Sequence, residues 1–520
     1  MGQKTYDFIV VGSGSAGGVL AHRLSESPSV SVLLIEAGPD FTTFESLPDE
    51  LKYSNTQYAF REGATYDWGY SATASERHSN MSVPRARVMG GCTSHNGPGP
   101  MFYRGTPEDF DSWANLGNTE WSFEKVLPYF IKLEKQDDID SPFHGTNGPI
   151  KVRRHLKKDW LPFQEAGFQA FLDLGFPEHD DVNHPGYTGA APRTHNEIDG
   201  VRQGTLLSYI NPIRDRPNLT ILSDTLVTRI NFEGKRAIGV QAEKRGENLT
   251  FEAGEILISA GAVATPQLLM VSGIGPPEQL NENGIDVIHP LIGVGQNLRD
   301  HIQFPTITYE PRENLVLDPL APRQQNQISY TATDSPLRND IVITPVSFAV
   351  DLKKSGPMTP IGVGFSVILY LAKSSGTLRI NSADIRKSPI MDFKYLEDPF
   401  DLMRVREAVR ICLDLGSQPQ VSKLIKSRIR PDDDVLSTDR SLNDWLLRTG
   451  STSYHQAGTC KMGPNSDEFA VVDQFCRVHG LDGLRVVDAS IMPDVVRANT
   501  NASTLMIGEK AADIIKSGVK

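Results

Sequence analysis

The sequence predicts an α/β protein in which a Rossmann-type nucleotide-binding domain is joined to a second, α+β domain built from an antiparallel sheet and helices. Three observations support this prediction. A short apolar run from Phe8 to Val11 leads into a glycine-rich turn and then a helical pattern. A second apolar run ends at an acid, Glu36. At 520 residues, the chain is longer than one hydrophobic core usually supports.

The glycine turn has the spacing of a dinucleotide-binding unit, Gly12-x-Gly14-x-x-Gly17. The first glycine permits a tight turn, the second lets a pyrophosphate approach the backbone, and the third lets the helix pack on the strand. Glu36 is expected to accept hydrogen bonds from the ribose hydroxyls. We expect three neighbours to line the same site: Ser15, Ala16 and Ala37. A glycine turn that binds nothing is the alternative.

A second small-residue turn, Ala260-Gly261-Ala262, follows the predicted strand EILIS. Backbone at such a turn can approach a cofactor, and Pro266 is predicted to start the next helix at its first turn. The strand in LRVVDAS ends at Asp488, where open α/β sheets usually hold ligands. Capping of the following segment is the alternative role for Asp488.

The bulk composition disfavours several classes of protein. A net charge of −12 without a long basic run disfavours nucleic-acid and anionic-membrane partners. The four cysteines lack paired spacing, no HExxH or CxxC metal motif occurs, and no apolar run reaches membrane-span length. The glycine motif starts close to Met1, which leaves no room for a signal peptide. We therefore expect a cytoplasmic enzyme with reduced thiols and no metal; a homodimer is also considered.

Longer segments resemble the glucose-methanol-choline (GMC) oxidoreductases, which are FAD-dependent enzymes that mostly oxidise alcohols. GAVATPQLLMVSGIG matches the family's second signature. SYHQAGTCKMG resembles its catalytic HPxGTxxMG motif, with Gln456 in place of proline. GLRVVDASIMP and ANTNASTLMIGEKAADII resemble its closing segment. The resemblance extends from Tyr6 to about Ile515.

The resemblance implies FAD as the cofactor and a division of the chain into two domains. The FAD-binding domain would comprise residues 1–155, 200–308 and 450–520, and the substrate-binding domain residues 156–199 and 309–449. The family places a valine backbone against adenine, and Val227 is the candidate. Other positions implied to contact FAD are Val88, Gly91, Thr93, Ser94, Asn96, Ala260, Gly261, Asp488, Ala489, Asn499 and Thr500.

His95 occupies a special place in the family's first signature. The segment Gly90-Gly91-Cys92-Thr93-Ser94-His95-Asn96 has histidine before asparagine, which resembles the choline oxidase-like subgroup. In that subgroup the histidine carries FAD through a covalent bond to the flavin 8α carbon. The resemblance therefore implies covalent 8α-histidyl FAD at His95. Two alternatives stay open: a non-covalent flavin contact and a purely structural histidine.

The resemblance also assigns the reacting groups. His455 matches the catalytic histidine, whose imidazole can take the hydroxyl proton while hydride passes to the flavin. Asn501 is assigned to the second active-site position, which hydrogen-bonds the substrate oxygen. Asn499 is the nearest competitor for that role. The other histidines are expected to be structural.

The substrate is expected to be a neutral primary alcohol of aromatic, furanic or aliphatic type, with O₂ as the expected acceptor. In the choline oxidase pattern a glutamate follows the DHP segment, but here Gln303 stands in that place and cannot neutralise a quaternary ammonium. A choline-type amino alcohol remains an alternative substrate. A hydroxynitrile lyase, which keeps FAD without redox chemistry, is a second alternative, and a photodecarboxylase is a third.

Two further segments carry structural predictions. Residues 218–262 are predicted to form a β-meander that returns to the nucleotide sheet, with turns at Glu233-Gly234 and Arg245-Gly246. Proline and glycine crowd residues 315–362, which predicts a long loop over the active site.

Overall fold

A computed structural model describes residues 5–55, 63–97, 99–350 and 359–518. Within these ranges the α-helices, α1 to α12, are Ser15–Leu24, Asp49–Lys52, Pro107–Asn115, Phe123–Leu133, Pro162–Asp173, Gly261–Val271, Pro277–Glu282, Pro399–Ser417, Pro419–Ser422, Asp433–Leu436, Asp439–Thr449 and Thr500–Lys516. The strands, β1 to β26, are Thr5–Val11, Val32–Ile35, Tyr70–Ala72, Met81–Val83, Glu134–Gln136, Ile150–Arg154, Gly189–Pro192, Thr194–His195, Glu197–Ile198, Val201–Arg202, Leu219–Leu222, Thr225–Glu233, Arg236–Lys244, Glu247–Ile258, Ile274–Gly275, His289–Pro290, Ile302–Gln303, Ile307–Pro311, Asn326–Tyr330, Ile341–Val350, Pro360–Leu369, Thr377–Arg379, Ile390–Asp392, Ile425–Arg430, Ser451–Thr452 and Leu484–Val486.

The first sheet is the predicted nucleotide-binding sheet. Its strands run in the order β11-β2-β1-β14-β13-β12, and β26 pairs with the end of β14. The pairs β11–β2, β2–β1, β1–β14 and β14–β26 are parallel. The four residues of β2 are all buried, as expected of a central parallel strand covered on both faces. The predicted strand, turn, helix and strand of the α/β unit are therefore confirmed.

The predicted meander is also confirmed. Strands β12, β13 and β14 pair antiparallel, and the long β14 then continues into its parallel pairing with β1. Both predicted turns are present, because Gly234, Arg245 and Gly246 adopt positive φ angles of 57°, 51° and 85°. The last strand of the meander, β14, is thus also the strand that precedes α6.

The second sheet is antiparallel and has the order β24-β18-β21-β20-β19-β7, with β17 pairing with both β21 and β25. Every residue of β20 is buried, so both faces of this central strand are covered. The expected domain boundary at residue 308 falls inside β18, and β25 belongs to the second sheet although it lies within residues 450–520. Residues assigned to the predicted FAD-binding domain therefore form part of the second sheet at β18 and β25.

Two predictions about local structure are wrong. Residues 315–362 do not form one long loop, because β19, β20 and the start of β21 lie within them; residues 351–358 fall outside the described ranges. Their prolines and glycines favour a loop, but the buried β-branched run forms β20. Helix α6 begins at Gly261 rather than at Pro266.

Pro266 is tolerated inside α6 because another group replaces the lost hydrogen bond. A proline has no N–H to donate to the carbonyl four residues earlier, here that of Ala262. The Thr459 hydroxyl donates to the Ala262 carbonyl at 2.6 Å. Thr459 belongs to the segment that follows His455, so α6 is tied to the same part of the chain that carries the predicted base.

No helix within the described ranges is long and apolar enough to cross a membrane.

Candidate active site

Three glycine-containing turns meet at the N-terminus of α1. Gly12 adopts φ 92°, and a Cβ added there would lie 2.5 Å from the Ser259 carbonyl oxygen, at the end of β14. A Cβ added at Gly91 would lie 2.7 Å from the Gly14 Cα. At Gly17, an added Cβ would approach the Gly12 carbonyl oxygen to 1.9 Å. Backbone approach this close requires glycine. The turns at Gly12–Gly17, Gly91 and Ser259–Gly261 therefore form one surface at the N-terminus of α1, which we call the cradle.

The cradle has space on its open side. A Cβ added at Gly14 meets only the Gly91 Cα, at 3.9 Å, and one added at Gly261 meets nothing within 4 Å. The Asn501 Nδ2 amide is buried without a hydrogen-bond partner in the described structure, and its Oδ1 accepts from the Ser15 hydroxyl at 3.0 Å. Open backbone at a helix N-terminus with an unpaired amide donor fits the pyrophosphate of FAD.

Glu36 lies at the end of β2 and is almost fully buried. Its Oε2 accepts from the Ser13 amide at 3.0 Å and the Ser13 hydroxyl at 2.6 Å, and its Oε1 accepts from the Gly38 amide at 2.9 Å. Burial raises the pKa of the Glu36 carboxyl, although these hydrogen bonds oppose the rise. The carboxylate therefore holds the turn itself, and ribose binding by Glu36 stays a prediction.

Val227 lies close to this end of the cradle. It is buried in β12, and the first residue of that strand, Thr225, donates its amide to the Glu36 carbonyl at 2.9 Å. An adenosine bound beside Glu36 would therefore lie near the backbone of β12. The adenine role of Val227 stays a prediction.

The segment around His95 forms a 3₁₀ turn, Gly91–Ser94, that ends at His95. The Thr93 hydroxyl donates to the Gly90 carbonyl at 2.7 Å and the Ser94 hydroxyl donates to the Met89 carbonyl at 2.9 Å. Both hydroxyls donate within the turn and hold it in shape, and contact of Thr93 and Ser94 with FAD stays a prediction. Val88 is fully buried beneath the turn, and the Asn96 Oδ1 is buried without a partner among the described residues.

His95 is nearly fully buried and contacts the thiol of Cys92. Burial alone would raise the pKa of this thiol, but the charge of Arg85 and a hydrogen bond with His95 lower it to about 6. The imidazole is thus held in place by a neighbour within its own turn.

His455 and His301 form a hydrogen-bonded pair of imidazoles. Their Nδ1 atoms are 2.9 Å apart, and the His301 Nε2 lies 2.8 Å from the Val496 carbonyl oxygen. A carbonyl only accepts, so the His301 Nε2 carries a proton. Burial lowers the pKa of His301 to about 3, so its Nδ1 is an acceptor, and the His455 Nδ1–H donates to it.

This chain of hydrogen bonds leaves the His455 Nε2 unprotonated. Burial, together with the charge of Arg85, lowers the pKa of His455 well below its ordinary value, so the ring is neutral at pH 7. The Asn499 Nδ2 donates to the His455 Nε2 at 3.0 Å. The Nε2 lone pair therefore accepts from a side-chain amide, which is the arrangement of a general base beside a hydrogen-bond donor.

The structure corrects the predicted partner of His455, because Asn499 rather than Asn501 faces the imidazole. Asn499 is the N-cap residue of α12 and Asn501 lies in its first turn. Asn501 instead accepts from Ser15 at the phosphate cradle. Two residues along a helix differ in direction by about 200°, so both side chains cannot face one site.

Asp300 organises the backbone around both histidines. Its Oδ1 accepts from the amides of His301 at 2.8 Å and His455 at 3.0 Å. Its Oδ2 accepts from the Tyr395 hydroxyl at 2.7 Å and from the side-chain amide of Gln456 at 2.9 Å. Gln456, which replaces the family's proline, thus anchors Asp300. Burial raises the pKa of this carboxyl, against the opposing effect of its hydrogen bonds.

Asp300 and His301 were missed as site residues in the sequence. Asp300 and His301 lie three and two residues before Gln303, but nothing in their spacing predicts contact with His455. They come close to His455 because β17, which His301 directly precedes, pairs with β25, which ends three residues before His455.

Asp488 caps the segment that follows it, which was the alternative role considered for it, and it also contacts α6; its contact with FAD stays a prediction. Its Oδ1 accepts from the Ser490 amide at 2.8 Å, which caps the 3₁₀ turn Ala489–Ile491. Its Oδ2 accepts from the Gly261 amide at 2.8 Å and the Thr265 hydroxyl at 2.6 Å. The carboxylate therefore joins the end of β26 to the start of α6. Ala260 precedes α6, Ala489 starts the 3₁₀ turn, and Thr500 is the first residue of α12.

No group of three or more histidine, cysteine, aspartate or glutamate side chains in the described part of the chain is arranged to hold a metal ion.

Two family profiles described as GMC oxidoreductase match residues 6–303 and 372–508. The chain is 35% identical to oxygen-dependent choline dehydrogenase 1 of Chromohalobacter salexigens, over 99% of this chain and 95% of that one. The protein therefore belongs to the GMC oxidoreductases, FAD-dependent enzymes that act on alcohols, as the sequence predicted.

Solved structures agree with this assignment. Pyridoxine 4-oxidase from Mesorbium loti is 29% identical, with a TM-score of 0.89 over 98% of this chain and 99% of that one. A formate oxidase variant from Aspergillus oryzae is 26% identical, with a TM-score of 0.89 over 100% of this chain and 99% of that one. The predicted fold class is confirmed.

Proposed function

We propose that the protein oxidises a primary alcohol to an aldehyde, with His455 as the base. The observation that carries this proposal is the hydrogen-bonded chain from the Val496 carbonyl through His301 to His455, which leaves the His455 Nε2 unprotonated. A lone pair in a buried, neutral imidazole can take the hydroxyl proton of the substrate. Bound FAD supplies the hydride acceptor.

Asn499 is proposed to hold the reacting oxygen. Its amide nitrogen is 3.0 Å from the His455 Nε2, so an alcohol oxygen lying beside both atoms would displace this hydrogen bond and contact both groups. The proton would pass to His455 while the amide donates to the developing alkoxide. This arrangement needs no charged side chain at the reacting carbon.

The FAD site is proposed to be built from the cradle at α1. Gly12, Gly14 and Gly91 provide close backbone approach, and the unpaired Asn501 amide provides a donor. Glu36 and Val227 are proposed for the adenosine end, where Thr225 brings β12 to the end of β2.

Covalent attachment of FAD at His95 is a further part of this proposal. The support is the SHN sequence, the burial of His95 and its fixed position beside Cys92. Denaturing the holoenzyme in acid, and mapping any flavin-bearing peptide by mass, tests it. Flavin on the peptide that contains His95 is expected; flavin released entirely free would refute the bond.

Two observations bear on the choice between choline and another alcohol. Relatives at about 35% identity are named choline dehydrogenases, which favours choline. Gln303 provides no negative charge where the choline oxidase pattern has glutamate, which disfavours it. We propose an alcohol without a quaternary ammonium group.

We propose O₂ as the electron acceptor and the cytoplasm as the location. The support for O₂ is that relatives are named oxygen-dependent. The support for a reducing compartment is that all four cysteines are free thiols.

The reaction class is tested by mixing holoenzyme with single primary alcohols in the absence of O₂. Bleaching of the flavin band with formation of one aldehyde per flavin is expected. Release of cyanide from a cyanohydrin without bleaching would instead identify the hydroxynitrile lyase alternative. Bleaching by choline but not by uncharged alcohols would identify the amino-alcohol alternative.

A further inference from the structure

Asp300 is a buried carboxylate that accepts hydrogen bonds on both of its oxygens. It is 5% exposed, and its Oδ1 accepts from the backbone amides of His301 and His455. Its Oδ2 accepts from three side chains, those of Thr452, Tyr395 and Gln456, at 2.6, 2.7 and 2.9 Å. No cation in the described ranges forms an ion pair with it. The chain therefore surrounds Asp300 with donors in place of a counter-charge.

The hydrogen bonds of Thr452 show where its proton lies. Its hydroxyl oxygen is 2.7 Å from the Tyr454 amide nitrogen and 2.6 Å from the Gln456 Nε2, and both of these groups donate. A hydroxyl has two acceptor sites and one proton, so Thr452 donates that proton to the Asp300 Oδ2. Burial raises the pKa of Asp300, and its donors oppose the rise. These contacts favour the ionised carboxylate.

Gln456 stands where the family's HPxGTxxMG motif has proline, and it adds donors that a proline side chain lacks. Its Nε2 lies 2.9 Å from the Asp300 Oδ2, and an amide oxygen in that place would face another acceptor. Its Oε1 is buried without a hydrogen-bond partner in the described part of the chain. The side chain therefore acts on this site through its N–H groups alone.

The charge of Asp300 lies close to the ring proposed to take the substrate proton. The Asp300 Oδ1 is 3.0 Å from the His455 amide nitrogen. Three bonds of about 1.5 Å join that nitrogen to the ring, so the centre of the imidazole lies within about 8 Å of the carboxylate oxygen. Opposite charges attract more strongly in a buried site, because little water screens them. A proton gained by His455 therefore makes a cation beside a buried anion.

Other charged and titratable groups surround the same site. The Nη2 of Arg85 donates to the Tyr454 carbonyl at 2.8 Å, and the charge of Arg85 contributes to lowering the pKa of His455. Burial raises the pKa of both nearby tyrosines, Tyr395 and Tyr454, and lowers the pKa of His301 to about 3. These three groups are neutral near pH 7, so the negative charge of Asp300 opposes the positive charge of Arg85 at the imidazole.

We propose that Asp300 and Gln456 are positioning residues for the base: the Asp300 carboxylate stabilises the positive charge that His455 gains with the hydroxyl proton, and Gln456 keeps Asp300 ionised. This inference rests on the proposed alcohol oxidation with His455 as the base. In that reaction the alcohol O–H bond breaks and its proton moves to the His455 Nε2, while the carbon loses a hydride to bound FAD and becomes the aldehyde. Asp300 gains and loses no proton in this step.

Asp300→Asn removes the charge and keeps a similar shape. Flavin reduction of the holoenzyme is followed without O₂ from about pH 5 to pH 10, with the alcohol that bleaches wild-type flavin fastest among benzyl alcohol, furfuryl alcohol, 1-hexanol and choline. We expect the rate at high pH to fall about 10-fold, because a less basic imidazole is a weaker general base. The pH below which the rate declines should shift downward, because loss of a nearby anion lowers the pKa of His455. A high-pH rate within about 3-fold of wild type would overturn the proposal.

Gln456→Met keeps the length of the side chain and removes its donors. Asp300 should then take up a proton at a higher pH, because its ionised form has lost a hydrogen bond. We expect a rate within about 3-fold of wild type at high pH, and a decline that begins at least about one pH unit higher. This shift is opposite in direction to that of Asp300→Asn, whereas a general loss of structure would lower the rate at every pH. An unmoved profile would refute the role of Gln456.

A matched control distinguishes this effect from the loss of any buried amide. Gln267 is 3% exposed, and its Nε2 also donates to two acceptors, the carbonyls of Ile385 and Lys387. Gln267→Met should therefore leave the pH profile unchanged. An equal shift in the Gln267 and Gln456 variants would overturn the proposal.

A further variant keeps the proposal testable if Gln456→Met does not fold. Thr452→Val removes another donor to the Asp300 Oδ2 and should move the decline to higher pH in the same way. Failure of wild type to bleach with any of the four alcohols would refute the proposed function itself. Bleaching in wild type with unmoved profiles in the Gln456 and Thr452 variants would refute this inference and leave alcohol oxidation in place.

Discussion

The Nδ1 atoms of His301 and His455 lie 2.9 Å apart, so one of the two rings must donate to the other. The Val496 carbonyl settles the direction, because it forces the proton of His301 onto Nε2. His301 is therefore a positioning residue that sets the tautomer of His455, that is, which of its ring nitrogens carries the proton.

The tautomer of His455 can be observed directly. In protein labelled with ¹⁵N-histidine, we expect His455 to be neutral at pH 7, with Nδ1 protonated and Nε2 bare. Replacing His301 with Ala should remove this preference and lower flavin reduction by about 10-fold or more. An imidazolium signal for His455 at pH 7, or a proton on its Nε2, would contradict the assignment.

Asn499 and Asn501 should differ in what their loss affects. Asn499→Ala removes the donor beside the His455 Nε2 and should slow flavin reduction by about 10²-fold, as expected for a lost oxyanion donor. Asn501→Ala should weaken retention of FAD but leave reduction of flavin-loaded enzyme within a few-fold, because its amide faces the cradle. Flavin content and single-turnover rates measure both. Equal rate losses in the two loaded variants would disprove the distinction.

Gly91→Ala should abolish FAD binding, because the added Cβ would lie 2.7 Å from the Gly14 Cα. Gly234→Ala is a matched control, since Gly91 and Gly234 have φ angles of 53° and 57° and a Cβ at Gly234 meets nothing within 4 Å. Both variants carry similar backbone strain, so only the clash differs. Flavin absorbance per protein measures the outcome; normal FAD content in Gly91→Ala would contradict the close approach of the two turns.

Acid should destabilise the fold through its buried neutral histidines. Burial lowers the pKa of His195 well below 6.5, so below about pH 6.5 the unfolded chain binds a proton that the folded chain excludes. The free energy of unfolding should therefore decrease as the pH falls. Urea unfolding at about pH 7 and pH 5 should show a smaller loss for His195→Gln than for wild type, by about 1 kcal/mol. An equal loss in both proteins would show that His195 does not contribute.

Local pattern was sufficient to predict the nucleotide-binding half of the fold. The glycine turn, the buried strands and the acid at Glu36 are close in sequence, and each constrains its neighbours. The strands β19 and β20 were not predicted, because the prolines around them indicate loops when burial is unknown. The start of α6 was wrongly predicted at Pro266 for a related reason. The group that compensates for the proline, the Thr459 hydroxyl, lies far along the chain.

The site was only partly predictable, because some of its contacts join residues that are far apart in the sequence. His455 was found because its motif is local, but its partner His301 is brought to it by the pairing of β17 with β25. The choice between Asn499 and Asn501 depends on the exact start of α12, and sequence patterns locate helix ends poorly.

The most direct test of the account is the rate at which an oxidisable alcohol reduces the flavin of His455→Ala in a single anaerobic turnover. With FAD content matched to wild type, we expect the rate to fall by at least about 10²-fold, as for a lost general base. A rate close to that of wild type would contradict the assignment of His455 as the group that takes the hydroxyl proton.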